Sequence, residues 1–206
     1  MSLTDLFVQQ RNNGTIPPDR VWQHWSNPKH PQYQDQQARF HWMCGFVQGP
    51  RVLDIGCSNG VGMHEAAQVS GVTSVVGVDV CSESLDEAEV NLELLHLSGI
   101  TVTLRKARAE VLPFKDQWFN TVLLGEVLEH VEDAELTMKE AMRVLTPIGY
   151  AVITVPDGGV VTDDHLRVFT PENLREFCSR FGVVSSTQRL KNQSSFWLGL
   201  AMRRND

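Results

Sequence analysis

The stretch Val52-Leu53-Asp54-Ile55-Gly56-Cys57-Ser58-Asn59-Gly60-Val61-Gly62 reads as a short apolar strand, a glycine-rich turn and the opening of a helix. Downstream the pattern repeats. Short β-branched runs alternate with helix-length segments, the mark of a parallel sheet assembled from βα units. The runs predict strands over 51–55, 73–80, 101–104, 121–124 and 150–155, and helices over 60–69, 82–97, 134–145 and 171–181. Leu85, Ala88, Leu92 and Leu95, and later Met138, Ala141, Met142 and Leu145, recur at the three- and four-residue spacing of a buried helix face. Pro147 to Gly149 reads as a turn before the fifth strand, and Thr170 as the cap of a helix with Pro171 in its first turn. Two last runs, 183–190 and 196–202, fit a hairpin that closes the sheet and offers an edge through which a homodimer can pair.

Upstream of residue 50 the composition changes. The first 50 residues hold four basic and three acidic side chains, three of the five Trp and eight Gln. Trp22, Trp25, Phe40, Trp42 and Phe46 are too much apolar surface to leave in water, so residues 1–49 are expected to fold as a helical cap or lid on a unit spanning 50–206. Its main helix is predicted over 32–47. Most of these tryptophans are expected to pack the cap onto the sheet; any that remain, with His24 and Tyr33, would wall a pocket for a small aromatic or amphipathic molecule.

At 206 residues the chain buries roughly 70% of its unfolded surface, so it needs no structural metal or disulfide to hold a core. Cys44, Cys57, Cys81 and Cys178 form no C-x-x-C, which excludes a zinc knuckle or redox dithiol and fits reduced thiols in the cytoplasm. A net charge of −7 supplies no global positive field, so nucleic acid is disfavoured as an obligate partner. The opening residues carry no basic-then-apolar leader and no run of eighteen apolar residues occurs, so neither export nor a membrane span is expected.

Charge decides what the glycine turn holds. In an open parallel sheet, ligands sit in the crevice beyond the carboxyl ends of the strands. A dinucleotide pyrophosphate requires G-x-G-x-x-G and no adjacent carboxylate, whereas here Asp54 stands at the strand tip and the spacing is G-x-S-x-G. Asp54 suits a ligand bearing an ammonium group. The second carboxylate, Asp79, ends the next strand 25 residues on, where it can accept both hydroxyls of a ribose. Ribose and amino acid in one ligand point to S-adenosylmethionine.

Residues 50–182 resemble a class I S-adenosylmethionine-dependent methyltransferase of the methyltransferase type 11/12 kind. The resemblance rests on VLDIGCSNG, VVGVDV, ARAEVLPF with FNTVLLGEVLEHV, LTPIGYAVITVPD and HLRVFTPENL, in that order. It implies a Rossmann-like, seven-stranded, mostly parallel α/β sheet with helices on both faces and an antiparallel last strand. It also implies cofactor-binding roles for Asp54, Gly56, Cys57, Ser58 and Gly60 at the methionine end, Asp79 at the ribose, Val80 beside the adenine, Ala109 and Glu110 along its edge, and Gly125 with Glu126 beneath the sulfonium. This chain departs from the family in having Arg108 where Asp is frequent, Ser58 where Gly is customary, and Ile148 in place of the first glycine before the fifth strand. Ser58 is expected to keep a negative φ.

Glu126-Val127-Leu128-Glu129-His130 is expected to begin a helical turn, which would put Glu126, Glu129 and His130 on one face, with His165 overhanging the same crevice. This Glu-x-x-Glu-His segment with a later His resembles the metal-dependent O-methyltransferases of ubiquinone biosynthesis and the small-RNA 2′-O-methyltransferases. The resemblance implies a divalent metal, Mn²⁺ or Mg²⁺, on Glu126, Glu129, His130 and His165. The alternative is metal-free: satisfied polar groups, with His165 or else His130 as the catalytic base. Three activities follow: methyl transfer to an O or N atom of a small-molecule acceptor, metal-assisted RNA 2′-O-methylation, or a non-catalytic S-adenosylmethionine-binding module.

Overall fold

The computed structural model describes residues 31–94, 97–158, 165–191 and 196–204. It begins with helix α1 (Pro31–Cys44), then β1 (Arg51–Ile55), α2 (Val61–Ala67), β2 (Ser74–Asp79), α3 (Ser82–Leu94), β3 (Thr101–Lys106) and β4 (Phe119–Gly125). The chain continues through α4 (Ala134–Val144), β5 (Leu145–Pro156), α5 (Pro171–Ser179), β6 (Gly182–Lys191) and β7 (Phe196–Arg204). The seven strands form one sheet in the order β3-β2-β1-β4-β5-β7-β6. Strands β1 to β5 pair in parallel, and β7 runs antiparallel between β5 and β6. Each predicted strand and the closing hairpin are present, with ends moved by a few residues.

The strict alternation of strand residues makes three layers. Leu53, Ile55, Val76, Val78, Val122, Leu124 and Ile153 pack on one face with Met138, Ala141 and Met142 of α4 and Leu174 of α5. Val52, Val75, Leu123 and Val152 pack on the other with Phe40 and Met43 of α1, Met63 and Ala66 of α2, and Ala88 and Leu92 of α3. Gly77 of β2 is needed there, because a Cβ would lie 2.3 Å from Met63 Sδ and 2.7 Å from Cys57 Sγ.

Helix starts follow their caps. Asp133 accepts the Leu136 N–H at 2.9 Å ahead of α4, and Thr170 forms a reciprocal capping box with Asn173 ahead of α5, as its sequence predicts. The expected turn at Pro147 to Gly149 is instead a bulge inside β5: the β4–β5 register jumps from Phe119↔Leu145 to Thr121↔Tyr150. Proline has no N–H to give a ladder, so the extra residues loop out and leave Ile148 exposed.

Trp22, His24 and Trp25 of the expected cap and the helix end at Leu95 and His96 lie outside the described residues. Nor is the side chain of Tyr33 among those described. Trp42 packs edge-on to Phe46 at 5.1 Å, and a Cβ on Gly199 of β7 would meet its ring at 2.7 Å. Trp42 therefore fastens α1 to the sheet.

Candidate active site

The turn after β1 is tied to the end of β2. Val78 O accepts the N–H groups of Gly56 (2.8 Å) and Cys57 (3.0 Å), and Asp79 Oδ2 accepts that of Ser58 (2.9 Å). Asp79 Oδ1 accepts the Cys81 N–H at 2.9 Å, so each carboxylate oxygen is fixed by backbone and keeps lone-pair capacity for a ligand. The expectation for Ser58 is corrected: its φ is +46°. The bond to Asp79 holds a serine in a region that favours glycine, and such strain gathers at functional sites. Gly60, at φ +88°, turns the chain into α2.

Asp54 lies inside β1 and is buried, close enough to α2 that a Cβ on Gly62 would fall 2.4 Å from its Oδ2. Burial pushes its carboxyl up to about 7; the charge of Arg39 opposes the rise and that of Asp79 adds to it. Arg39 is the residue that sequence reasoning missed. It projects from α1 with its guanidinium 4.7 Å from the Phe40 ring and 5.3 Å from that of Trp197, and its Nη1 is 3.4 Å from Glu126 Oε1. The signal was a single cation within the buried Arg39, Phe40 and Met43 stripe of α1, where only a paired charge is tolerable.

The segment after β4 is not helical. Glu126 takes φ +59°, 128–130 form a turn, and regular helix waits for the Asp133 cap. Glu126 is therefore not joined to Glu129 and His130 by a helical face; it pairs with Arg39 and lines the same cavity as His130, outside the tight group formed by Glu129, His130 and His165. Glu129, His130 and His165 do converge, with one ligand atom from each lying within 4.8 Å of the others. The two imidazoles meet edge to face at 4.8 Å between centroids. Glu129 is buried, and its carboxyl is pushed up to about 8, first by burial and then by the charge of Glu126. Burial likewise raises Glu126, against the pull of Arg39.

Two cavities share Gly56 and Ser58. The larger, about 480 Å³, is lined by Asp79, Val80, Ala109, Glu110, Glu126 and His130 among others, the smaller, about 140 Å³, by Arg39, Asp54, Cys57 and Gly125 among others. Arg108 lines the larger one in place of the family's Asp, ion-paired to Glu132 at 2.7 Å and Glu110 at 3.4 Å. Of the predicted set, Gly60, Glu129 and His165 line neither cavity. Among the described residues, six buried side-chain atoms lack a hydrogen-bond partner, and four of them are Arg39 Nε, Glu126 Oε1 and both oxygens of Glu129. Glu126 Oε1 is ion-paired to Arg39, and Glu129 Oε1 lies 3.9 Å from His130 Nε2, so these buried charges have charged partners without well-formed hydrogen bonds.

A family model described as a methyltransferase domain matches residues 53–153. This chain carries a methyltransferase domain. Over 134 residues it is 31% identical to a ubiquinone biosynthesis O-methyltransferase of Rhizobium etli, an alignment covering 65% of this chain and 52% of that protein. The chain thus spans about half the length of the curated relatives it matches. The methyltransferase domain also resembles the PH0226 protein of Pyrococcus horikoshii OT3, with a TM-score of 0.72 at 18% identity, covering 90% of this chain and 97% of that one. A SAM-dependent methyltransferase of Methanosarcina mazei aligns with a TM-score of 0.65 at 19% identity, covering 79% of this chain and 96% of that one. The structural likeness concerns the fold; sequence relatedness is what identifies the methyltransferase domain. No helix among the described residues is long and apolar enough to cross a membrane.

Proposed function

We propose that this protein transfers a methyl group from S-adenosylmethionine to an oxygen of a small-molecule acceptor. The observation that carries the reading is the set of charged side chains, Arg39, Asp54, Asp79 and Glu126, that line two linked cavities at the carboxyl ends of β1, β2 and β4. Asp79 would take the ribose hydroxyls, and Val80, Ala109 and Glu110 would flank the adenine in the larger cavity. In the smaller one, Asp54 and Arg39 would face the ammonium and carboxylate of the methionine part, opposite charges matched to opposite charges. Gly56, Ser58, Gly125 and Glu126 lie where the two cavities approach, which suits the sulfonium and its methyl.

Methyl transfer is an in-line displacement. The acceptor O–H gives its proton to an imidazole, the oxygen forms a bond to the methyl carbon, and the carbon–sulfur bond breaks to release S-adenosylhomocysteine. The protein's task is alignment and exclusion of water. His130 lines the larger cavity and His165 meets its ring edge to face, so His130 can take up the proton with His165 beside it. The buried carboxylate of Glu129, 3.9 Å from His130 Nε2, with two imidazoles offers a mixed set that would suit a divalent ion, Mn²⁺ better than Mg²⁺. A bound ion would lower the pKa of the acceptor hydroxyl.

The relatives named O-methyltransferases support oxygen as the acceptor atom, and the −7 net charge weighs against RNA. The separated cysteines suit a reducing, cytoplasmic setting. Calorimetric titration with S-adenosylhomocysteine is expected to show one saturable site, and labelled methyl from S-adenosylmethionine is expected to reach low-mass phenols or catechols. Repeating the titration with Mn²⁺ on chelator-stripped protein tests the ion. Absence of saturable S-adenosylhomocysteine uptake overturns the proposal; uptake without transfer to any acceptor would leave a binding module.

A further inference from the structure

His165 reaches His130 and Glu129 on a segment with little holding it by burial. Leu166 and Val168, its two apolar side chains before Phe169, are 59% and 44% exposed. Its far end is anchored where Gly158 N–H meets Phe169 O at 3.0 Å. What docks the near end is polar: the Leu166 N–H donates to Glu129 O at 2.8 Å, and the Arg167 guanidinium donates to three backbone carbonyls. These belong to Leu128, to Val131 at 2.6 Å and to Glu132 at 3.0 Å.

Those carbonyls are available for a physical reason. With Glu126 at φ +59° and α4 starting only at Ala134, the intervening turn forms no continuous helical ladder. Among the described residues no backbone N–H reaches the carbonyls of Leu128, Val131 or Glu132. A planar guanidinium presents five donors in a fixed fork and can bridge several acceptors at once, which an ammonium point charge does less well. We propose that Arg167 is a positioning residue for methyl transfer: by gathering three carbonyls of the turn after β4, it docks the His165 segment there and sets His165 against His130 and Glu129.

The claim rests on the methyl-transfer reading for its kinetic consequence, and on backbone geometry alone for its docking consequence. Misplacing a reacting group by about 1 Å can cost about 100-fold in rate. Arg167→Gln in the full chain is therefore expected to lower kcat about 100-fold while S-adenosylhomocysteine affinity stays within threefold. Amide exchange at Leu166 should quicken at least tenfold, with exchange in β1 and β4 unchanged. Arg167→Lys should recover part of both losses. Unchanged kcat with unchanged Leu166 exchange overturns the proposal. So does a parallel fall in cofactor affinity and core protection that Lys fails to relieve, because that is the signature of general unfolding. If the wild-type protein transfers no methyl, the reaction reading fails separately, and Leu166 exchange still decides the docking claim: quickening in Arg167→Gln supports it and retention overturns it.

Discussion

The wall of the crevice made by the ends of β1 and β2 and the wall made by the ends of β4 and β5 are held by different kinds of contact. On the first, backbone meets backbone and one strand-tip carboxylate: Gly56 and Cys57 on Val78 O, Ser58 on Asp79. On the second, an irregular turn is held by arginines from distant segments, Arg39 from α1, Arg108 from after β3 and Arg167 from after β5. The first wall is set by hydrogen bonds between the ends of two adjacent strands, β1 and β2. The second depends on side chains that must each find their place in the finished fold, and its carboxylates Glu126 and Glu129 meet Arg39 and His130 only at 3.4 and 3.9 Å.

The comparison breaks or stands first on Asp79→Ala. That change removes the acceptor for the Ser58 and Cys81 N–H groups and the two lone-pair sets offered to the ribose. Hydrogen bonds to a charged group are worth about 1.5–3 kcal/mol each, so S-adenosylhomocysteine affinity should fall at least about 100-fold by calorimetry. Glu129→Gln, on the other wall, should change it less than threefold. Equal losses would mean that the two walls do not divide the work in this way.

The same division explains what could be read from the sequence. The strand–turn–helix order around the glycines, the strand-end place of Asp79, the strand alternation and the Thr170 cap are patterns whose causes lie within a few residues, and each of these placements appears in the fold as expected. The positive φ of Ser58 was hidden because its cause, Asp79, lies 21 residues away. The Glu126 to His130 spacing looked helical, yet the backbone turns at Glu126, whose side chain meets Arg39 of α1. Arg39 belongs to no motif, and the β5 bulge at Pro147 depends on the register with Phe119 and Thr121. The second wall was thus legible in its residue types and not in its geometry.

An intermediate effect comes from the pH response of Asp54. Its folded pKa of about 7 lies above the ordinary value of 3.8, so the empty folded protein keeps a proton that the unfolded chain releases above about pH 4. Its contribution to stability is complete below that value and is lost as pH rises to about 7, so this group makes the empty protein less stable at pH 8 than at pH 5. Binding has the opposite dependence, because a ligand ammonium needs the carboxylate. S-adenosylhomocysteine affinity should rise about fivefold from pH 6 to pH 7 and level off above, with proton release that makes the observed binding heat vary with buffer ionisation enthalpy. Asp54→Asn should flatten the profile. A flat wild-type profile would detach Asp54 from the ammonium and assign the first wall to Asp79 alone.

The smallest effect sharpens the comparison at closest range. Thr170 stands three residues beyond Arg167, and its side chain accepts the Asn173 N–H at 3.3 Å while Asn173 Oδ1 accepts the Thr170 N–H at 2.8 Å. Loss of an N-cap costs about 1 kcal/mol, which for a domain of this size lowers the melting temperature by about 2–4 °C. Thr170→Ala should show that shift with kcat and Leu166 exchange unchanged, because α5 remains packed through Leu174 and Cys178 and the Phe169 anchor is backbone. Were Thr170→Ala to slow turnover as Arg167→Gln does, the position of His165 would depend on where α5 begins, and the arginine contacts would follow from that placement.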